Sequence, residues 1–349
     1  MNTRDDLKML QALPLDLKIQ LSKQRIKEWV KEFGEDGVYI SFSGGKDSTV
    51  LLDLVRNECG YKKVPAVFVN TGLEYPEIQK FVRTFDNVTV LTPKMSFRDV
   101  IVKYGYPFIS KEASKCVYEA RISLKRGKTD TYSIMKLKGT LMDKNGKKSQ
   151  FNKDKWEPLL DTDFIIGHGC CDVMKKRSVK KYGQDSGRFA ILGSMAEESQ
   201  LRTQKWLQHG CNMFDKKSPA SNPMSVWTEQ DVLKYVKDKG LQIASVYGDV
   251  VTEDEGFEYD AIIPGTPCRY KTTGCSRTGC IFCGFGAHLE KGEGRFERLK
   301  RTHPRQYEYC MGGGGYGADG YWKPTQEGLG MAHVIDELCR IYGPGFIKY

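Results

Sequence analysis

An α/β fold with a doubly wound, mainly parallel sheet is the architecture this sequence predicts, followed by a cysteine-rich C-terminal segment. Two observations carry the prediction. Short apolar runs alternate with longer amphipathic ones, and the first apolar run ends in a glycine-rich turn that leads straight into a helix. A third observation, the drift of the last part of the chain toward Gly, Pro and Cys, sets that segment apart.

From Leu15 to Phe33 the residues Leu17, Leu21, Ile26, Trp29, Val30 and Phe33 recur at roughly helical spacing until Gly34 and Gly37. Residues 1–36 are therefore expected to form an N-terminal helical segment. Gly37 to Phe42 reads as a buried strand, and Asp47 to Arg56 as a helix with Val50, Leu51, Leu54 and Val55 inward. Val64 to Asn70 gives a second strand, Pro76 to Phe85 a helix with proline in its first turn, and Val88 to Leu91 a third strand. Such alternation implies parallel pairing through crossovers. Between Arg121 and Lys155 the pattern weakens, eleven Lys or Arg face three Asp, and Asp143-Lys144-Asn145-Gly146 offers a turn. That basic span, 121–155, is expected to be an inserted, solvent-facing element. The alternation resumes with a strand at Phe189 to Gly193 and a helix at Ala196 to Gln208. Trp227 to Lys239 is amphipathic through Val232, Leu233, Tyr235 and Val236, with Gly240 just past its end. The expected division is a helical segment over 1–36, an α/β domain over 37–262 and a cysteine-rich segment over 263–349.

A net charge of +10 over 349 residues favours polyanionic partners, nucleic acid or polyphosphate nucleotides, although a solvated lysine-rich surface explains it equally. No run approaches a membrane span, and Met1 to Leu10, carrying Asp5, Asp6 and Lys8, lacks the apolar stretch of a secretory signal, so a cytoplasmic protein without membrane contact is expected. Eleven cysteines in such a chain point to metal ligation or thiol chemistry rather than disulfides. Cys170 and Cys171 are adjacent, and Cys275, Cys280 and Cys283 crowd together. Cys59, Cys116, Cys211, Cys268, Cys310 and Cys339 are scattered and expected to be inert.

Ser43-Gly44-Gly45-Lys46-Asp47-Ser48-Thr49 supplies what a phosphate needs: glycines that let amides converge, an ammonium, hydroxyls and a following helix N-terminus. The spacing is not that of a Walker A loop. Ser43 to Ser48 resembles the SGGxDS signature of the PP-loop ATP pyrophosphatases. The resemblance implies a Rossmann-type, adenine nucleotide alpha hydrolase-like fold in which this loop, with Ser41 at the strand end, holds the pyrophosphate of ATP while the α-phosphate is attacked. Ser43, Gly44, Gly45 and Ser48 would then contact phosphate, and Lys46 would balance the leaving pyrophosphate. Asp47 would help hold Mg²⁺ or cap the helix.

Three further stretches resemble the phosphoadenosine phosphosulfate (PAPS) reductase branch. Thr71-Gly72-Leu73-Glu74-Tyr75-Pro76-Glu77 is similar to its TGxxxPET stretch. Gly193 to Arg202 is similar to its GxRxxES segment with a trailing arginine, with Met195 where arginine is usual. Asn222 to Val232 is similar to its NPLxxWTxxDV stretch. By this likeness Thr71, Gly72, Glu74, Gly193 and Glu198 join the nucleotide site, and Arg202 is the candidate for a substrate phosphate or sulfate, against the alternative of a surface ion pair.

Cys170-Cys171 with Cys280-x-x-Cys283 resembles the arrangement that holds a 4Fe-4S cluster in adenylylsulfate reductases and their relatives. Cys275 adds a spacing that also suits 2Fe-2S, and four thiolates suit Zn as well. The basic run Lys175, Lys176, Arg177, Lys180 and Lys181 would offset cluster charge or form a solvated helix face. Three functions stay open. In the first, ATP adenylates an acceptor, pyrophosphate leaves and sulfur displaces AMP, with a nucleic-acid acceptor suggested by the basic insertion and by Arg295 to Arg305 with Phe296, His303 and Tyr307. The second is reduction of PAPS or adenylylsulfate. Against it stand the intact Ser43 to Ser48 loop and the lack of an ECGxH motif, Cys339 lying instead on an amphipathic helix with Val334, Ile335 and Leu338. The third is a regulatory nucleotide-binding module with a structural zinc. The sulfur donor or reductant is not specified by sequence, and a homo-oligomer is compatible with it.

Overall fold

The computed structural model describes residues 2–214, 218–252 and 269–349. Along the chain, α1 (Arg4–Gln11) and α2 (Leu15–Phe33) precede β1 (Val38–Ser41), α3 (Lys46–Asp53), β2 (Ala66–Val69), α4 (Pro76–Val82) and β3 (Val88–Leu91). The chain then leaves for α5 (Phe97–Tyr104), β4 (Phe108–Ile109), α6 (Lys111–Lys125) and α7 (Tyr132–Leu137). It returns through α8 (Arg177–Ser186), β5 (Phe189–Leu192), α9 (Gln200–His209), β6 (Asn212–Met213), β7 (Ala220–Ser221), α10 (Glu229–Lys239), β8 (Val250–Thr252) and β9 (Tyr270–Thr272). It finishes with β10 (Gly284–Phe285), α11 (Arg295–Thr302), α12 (Pro304–Met311), β11 (Gly315–Tyr316), β12 (Trp322–Lys323) and α13 (Met331–Tyr342).

These elements form two compact units, one of Met1–Thr92 with Ser178–Thr278 and the other of Pro93–Arg177 with Gly279–Tyr349. The division differs from the one read along the sequence, because the chain crosses between units at 92, 177 and 278 and each unit is built from two separated stretches. The expected boundary at 262/263 lies outside the described residues, as does Cys268.

In the first unit the sheet order is β3-β2-β1-β5-β7-β6, parallel throughout except for the β6–β7 edge pair. Successive parallel connections run outward from β1 in both directions, and right-handed crossovers then put helices on both faces. This is the doubly wound, mainly parallel sheet the alternation predicts. Strand β1 is central, in register with β2 through Ile40↔Ala66 and with β5 through Ile40↔Ile191. Its neighbours have crossovers of opposite direction, which opens a crevice at their carboxyl ends. The core is apolar as expected at Ile26, Trp29, Val50, Leu51, Leu54 and Val55, all fully buried, whereas Leu17 on α2 faces solvent. Helix α9 starts later than its periodicity suggests: Ala196–Glu198 is a 3-10 turn, Ser199 is extended, and its hydroxyl then caps α9.

In the second unit the short parallel pair β4–β10 sets Gly284 beside Phe108 and Phe285 beside Ile109. The basic span 121–155 is not simply solvent-facing. Ile134 and Leu137 are fully buried, and the buried Arg121 guanidinium donates to the carbonyls of Leu159, Thr162 and Phe164 just beyond the span. Those carbonyls lie outside regular ladders, so a charged side chain satisfies them where a strand would have done so. No helix among the described residues is long and apolar enough to cross a membrane.

Candidate functional site

A cavity of about 450 Å³ opens in the first unit where β1 and β5 end. Of the sequence-predicted residues, Ser41, Ser43, Gly45, Lys46, Asp47, Ser48, Gly193, Glu198 and Arg202 line it. Gly44 shapes it from behind: it is held at φ +71°, and a Cβ there would lie 2.7 Å from a Val82 methyl. Only glycine satisfies both demands. Gly193 allows a different approach, since a Cβ on it would stand 3.0 Å from the Asp47 carbonyl, so the end of β5 comes close against α3.

The loop is prefolded by its own hydroxyls. The Ser43 amide donates to Ser48 Oγ at 3.1 Å, the two serine hydroxyls are 3.0 Å apart, and Ser48 and Thr49 hydroxyls donate to the Gly45 carbonyl at 2.9 and 3.0 Å. The Lys46 amide donates to the Tyr247 hydroxyl at 3.2 Å, which is 2.6 Å from Thr278 Oγ1. Lys46 itself is buried. Its Nζ donates to the Ser276 carbonyl at 3.0 Å and pairs with Glu229 at 3.0 Å, with Asp47 Oδ1 at 3.7 Å. Asp47 does not cap α3, whose cap residue Gly45 has no side chain to offer, and its buried Oδ1 has no hydrogen-bond partner. Burial pushes the Asp47 carboxyl above its ordinary value, Lys46 opposing and Glu229 reinforcing that rise.

Glu198 organises the far wall. Its Oε1 accepts from the Met195 amide at 2.9 Å and from Arg202, while Oε2 accepts from Arg277 at 3.2 Å. One carboxylate thus holds two guanidiniums at the cavity, both partly exposed to it. Met195, where a cation was missing by likeness, is buried instead, and Arg277 restores the second positive charge. Arg277, Thr278 and Tyr247 were not singled out from sequence. The first two sit between Cys275 and Cys280, a run read only for its cysteines, and Tyr247 carries no local signature.

Thr71, Gly72 and Glu74 follow β2 but do not line the cavity. The Glu74 carboxylate accepts from the Thr71 amide at 2.9 Å and the Thr71 hydroxyl at 2.8 Å, closing its own turn.

The second unit gathers the other chemistry. Cys170 Sγ donates to Cys171 Sγ at 4.0 Å. This bond, with Lys111 and Lys175 outweighing burial, brings the Cys171 thiol down to about 5. Cys170 is pushed up by the same bond, by burial and by the charges of Cys171, Cys283 and Cys280, so the four sulfurs share one field. The local fold explains the grouping. Cys283 comes one residue before the β4–β10 pair, in which Gly284 faces Phe108 and Phe285 faces β-branched Ile109, held at φ +59°, and Arg295 donates to the Cys283 carbonyl at 2.7 Å. Cys275 belongs to the first unit and is buried in the turn after β9.

The sequence profile of the phosphoadenosine phosphosulfate reductase domain matches residues 37–123 and 128–284, more than half of the chain. The chain belongs to the phosphoadenosine phosphosulfate reductase domain family. Within the same superfamily of folds, it is 22% identical to sulfate adenylyltransferase subunit 2 of Shewanella frigidimarina (strain NCIMB 400) over 271 residues, covering 73% of this chain and 78% of that protein. The counterpart from Shewanella sp. (strain ANA-3) is 22% identical over 287 residues, covering 77% and 83%. A solved structure of phosphoadenylyl-sulfate (PAPS) reductase from Candida auris aligns with 70% of this chain and 91% of its own, at 14% identity and a TM-score of 0.36. The family is one of nucleotide-binding enzymes, and the cavity at β1 is the candidate site in this chain.

Proposed function

We propose that this member of the family is an enzyme that uses ATP to adenylate an acceptor, releases pyrophosphate, and takes part in iron-sulfur-dependent sulfur transfer to that acceptor. The observation that carries the reading is the Asp47 carboxylate. It is half-buried beside Lys46, with Oδ1 covered and without a hydrogen bond, a cost in the free protein that a Mg²⁺-polyphosphate would relieve. In the adenylation step an acceptor oxygen attacks the α-phosphorus. The bond to the bridging oxygen breaks, and pyrophosphate departs with the electron pair. Loop amides, the Ser43 and Ser48 hydroxyls and Lys46 would meet the pyrophosphate charge, Lys46 exchanging Glu229 for phosphate. Arg202 and Arg277, kept apart by Glu198, are the cations available for charge that develops during transfer. A sulfur nucleophile then forms its bond to the acceptor as the bond to AMP breaks.

Cys170, Cys171, Cys280 and Cys283 would hold a 4Fe-4S cluster, which when bound supplies sulfide or electrons. The donors fit in chemistry: four soft sulfurs in one field, with Lys111 and Arg295 nearby to offset negative charge. No group of three or more His, Cys, Asp or Glu among the described residues stands at the spacing of a single ion. The net charge of +10 supports a nucleic-acid acceptor. Relatives named as a subunit support a second protein as sulfur or electron source.

The test is an anaerobic preparation analysed for iron and sulfide, then assayed for AMP and pyrophosphate with MgATP and candidate acceptors. Lys46→Ala is expected to lower pyrophosphate release about 100-fold or more. Reduction of a sulfonucleotide without pyrophosphate release from ATP would replace this reading with the reductase one, and a colourless zinc protein would sink the cluster.

A further inference from the structure

The net charge of the chain is confined to one of its two units. The first unit holds 26 Lys and Arg against 26 Asp and Glu, and the second holds 28 against 18, which is the whole of the +10. Exposed aromatic rings divide the same way. Tyr132, Phe151, Tyr309 and Tyr316 belong to the second unit, and Phe214 alone, among the described residues, to the first. A solubilising charge has no reason to leave the larger nucleotide-binding unit neutral, or to travel with solvent-facing rings. Interleaved cations and aromatics are the footprint of single-stranded nucleic acid, whose phosphates pair with the first and whose bases stack on the second.

Within that unit the two features meet on one built element. After α7, residues 138–155 form a hairpin closed by the Met142↔Lys148 bridge. Its turn is fixed by Asp143, whose Oδ1 accepts from the amides of Asn145 and Lys147 at 2.8 and 2.9 Å. Asn152 ties the base, accepting from the Leu141 amide and donating to the Gly139 and Leu141 carbonyls. Ile134 and Leu137 anchor α7 beneath it in full burial. The tip carboxylate is thus spent on backbone, while Lys144 and Lys147 project from the turn and Lys148 pairs with Asp154 at 3.1 Å. Phe151 on the returning arm is 56% exposed, and Tyr132, at the start of α7 that leads into the hairpin, is 57% exposed.

The other basic stretch is different. On α11, Arg295 is bonded to Glu290 and both Arg298 and Arg301 to Glu293, and Phe296 is fully buried, so three of the five cations of the segment read as a nucleic-acid face are held by carboxylates and its Phe offers no ring to stack on.

We infer that the 138–155 hairpin, with Lys138, Lys144, Lys147 and Lys148 and the rings of Tyr132 and Phe151, is a docking surface for a single-stranded nucleic acid. The inference rests on the acceptor reading above and names the surface that would engage it. It is tested by fluorescence anisotropy of the full chain with labelled single-stranded RNA and DNA of one sequence, their duplexes, and polyglutamate of matched charge, over a series of salt concentrations. Binding to a single strand should exceed binding to the duplex and to polyglutamate, and the RNA and DNA arms identify the sugar. Replacing Lys144, Lys147 and Lys148 by Gln should weaken binding at least tenfold and reduce the slope of log K against log salt by about 2. Tyr132→Ala with Phe151→Ala should weaken it about tenfold or more without changing the slope. MgATP affinity should be unchanged in both variants. Equal competition by polyglutamate, or lysine variants with unaltered affinity and slope, would overturn the inference. Failure of pyrophosphate release with hairpin-dependent binding intact would remove the proposed reaction and leave the surface standing.

Discussion

At the residue scale the proposed nucleotide site carries a cost that binding would repay. Asp47 is half-buried, its Oδ1 is covered without a hydrogen bond, and desolvation raises its carboxyl. A carboxyl whose folded value lies above its unfolded one holds its proton more tightly when folded. Its contribution to stability is therefore present in acid and lost as pH rises through the folded value. Asp47→Asn should accordingly stabilise the ligand-free protein near neutral pH by about 1 kcal/mol, and the gain should vanish in acid, while MgATP no longer protects against thermal unfolding. Denaturant titration across pH reads both effects. Tyr247 makes the complementary case. Its hydroxyl takes the hydrogen bond of the Lys46 amide, where a phosphate oxygen would sit at the N-terminus of α3. Burial raises the phenol, which keeps it neutral and able to give that amide up. Tyr247→Phe should tighten MgATP binding about fivefold by calorimetry, whereas weaker binding would mean that the hydroxyl donates to the phosphate.

At the scale of elements, α10 holds the site from behind, with Glu229 in its first turn beside Lys46. Asp231 does two jobs there. It completes the capping box with Thr228, and it is the partner, at 2.6 Å, of the buried Lys18 on α2. Thr228→Ala removes one cap bond and should cost about 1 kcal/mol. Asp231→Ala also strands a buried ammonium and should cost about 3 kcal/mol or more in the same denaturant titration. The apolar face and the end of α10 were legible in the sequence, because a 3.6-residue period and Gly240 just past the end are local signals. The Ser43 to Ser48 loop was legible for the same reason. Where a decisive partner is remote, legibility failed. Lys18 to Asp231, Lys46 to Glu229 and Tyr247 to the loop amide join residues about 200 positions apart, and no periodicity encodes such meetings. Local reading left Asp47 between a cap and a Mg²⁺ ligand, of which the structure removes the cap, and began α9 too early, since Ala196 to Glu198 are good helix formers that a 3-10 turn takes over.

At the scale of the whole molecule, the sequence reads as one α/β domain with additions, yet the chain builds two units by crossing between them three times. Neither unit is a continuous segment, so hydrophobic period alone could not reveal the partition; the charge, neutral in one unit and +10 in the other, follows it once it is drawn. The two units also separate the chemistry. The proposed nucleotide cavity is lined by residues of the first alone, and Cys170, Cys171, Cys280 and Cys283 belong to the second. Ligands that bind only the folded form stabilise what they touch by mass action, about 2.7 kcal/mol at a hundredfold excess over Kd. MgATP should therefore raise hydrogen-exchange protection in β1, α3 and β5. Cys283→Ser, which removes one proposed cluster ligand, should lower protection in β4, β10 and the start of α6 and abolish visible absorption in an anaerobic preparation. If the two responses stay in their own units, nucleotide and cluster are separately bound and meet only through the reaction. A MgATP-induced change around Cys170 and Cys283 would instead mean that the crossing segments, one of which carries Arg277 three residues before Cys280, transmit occupancy from one centre to the other.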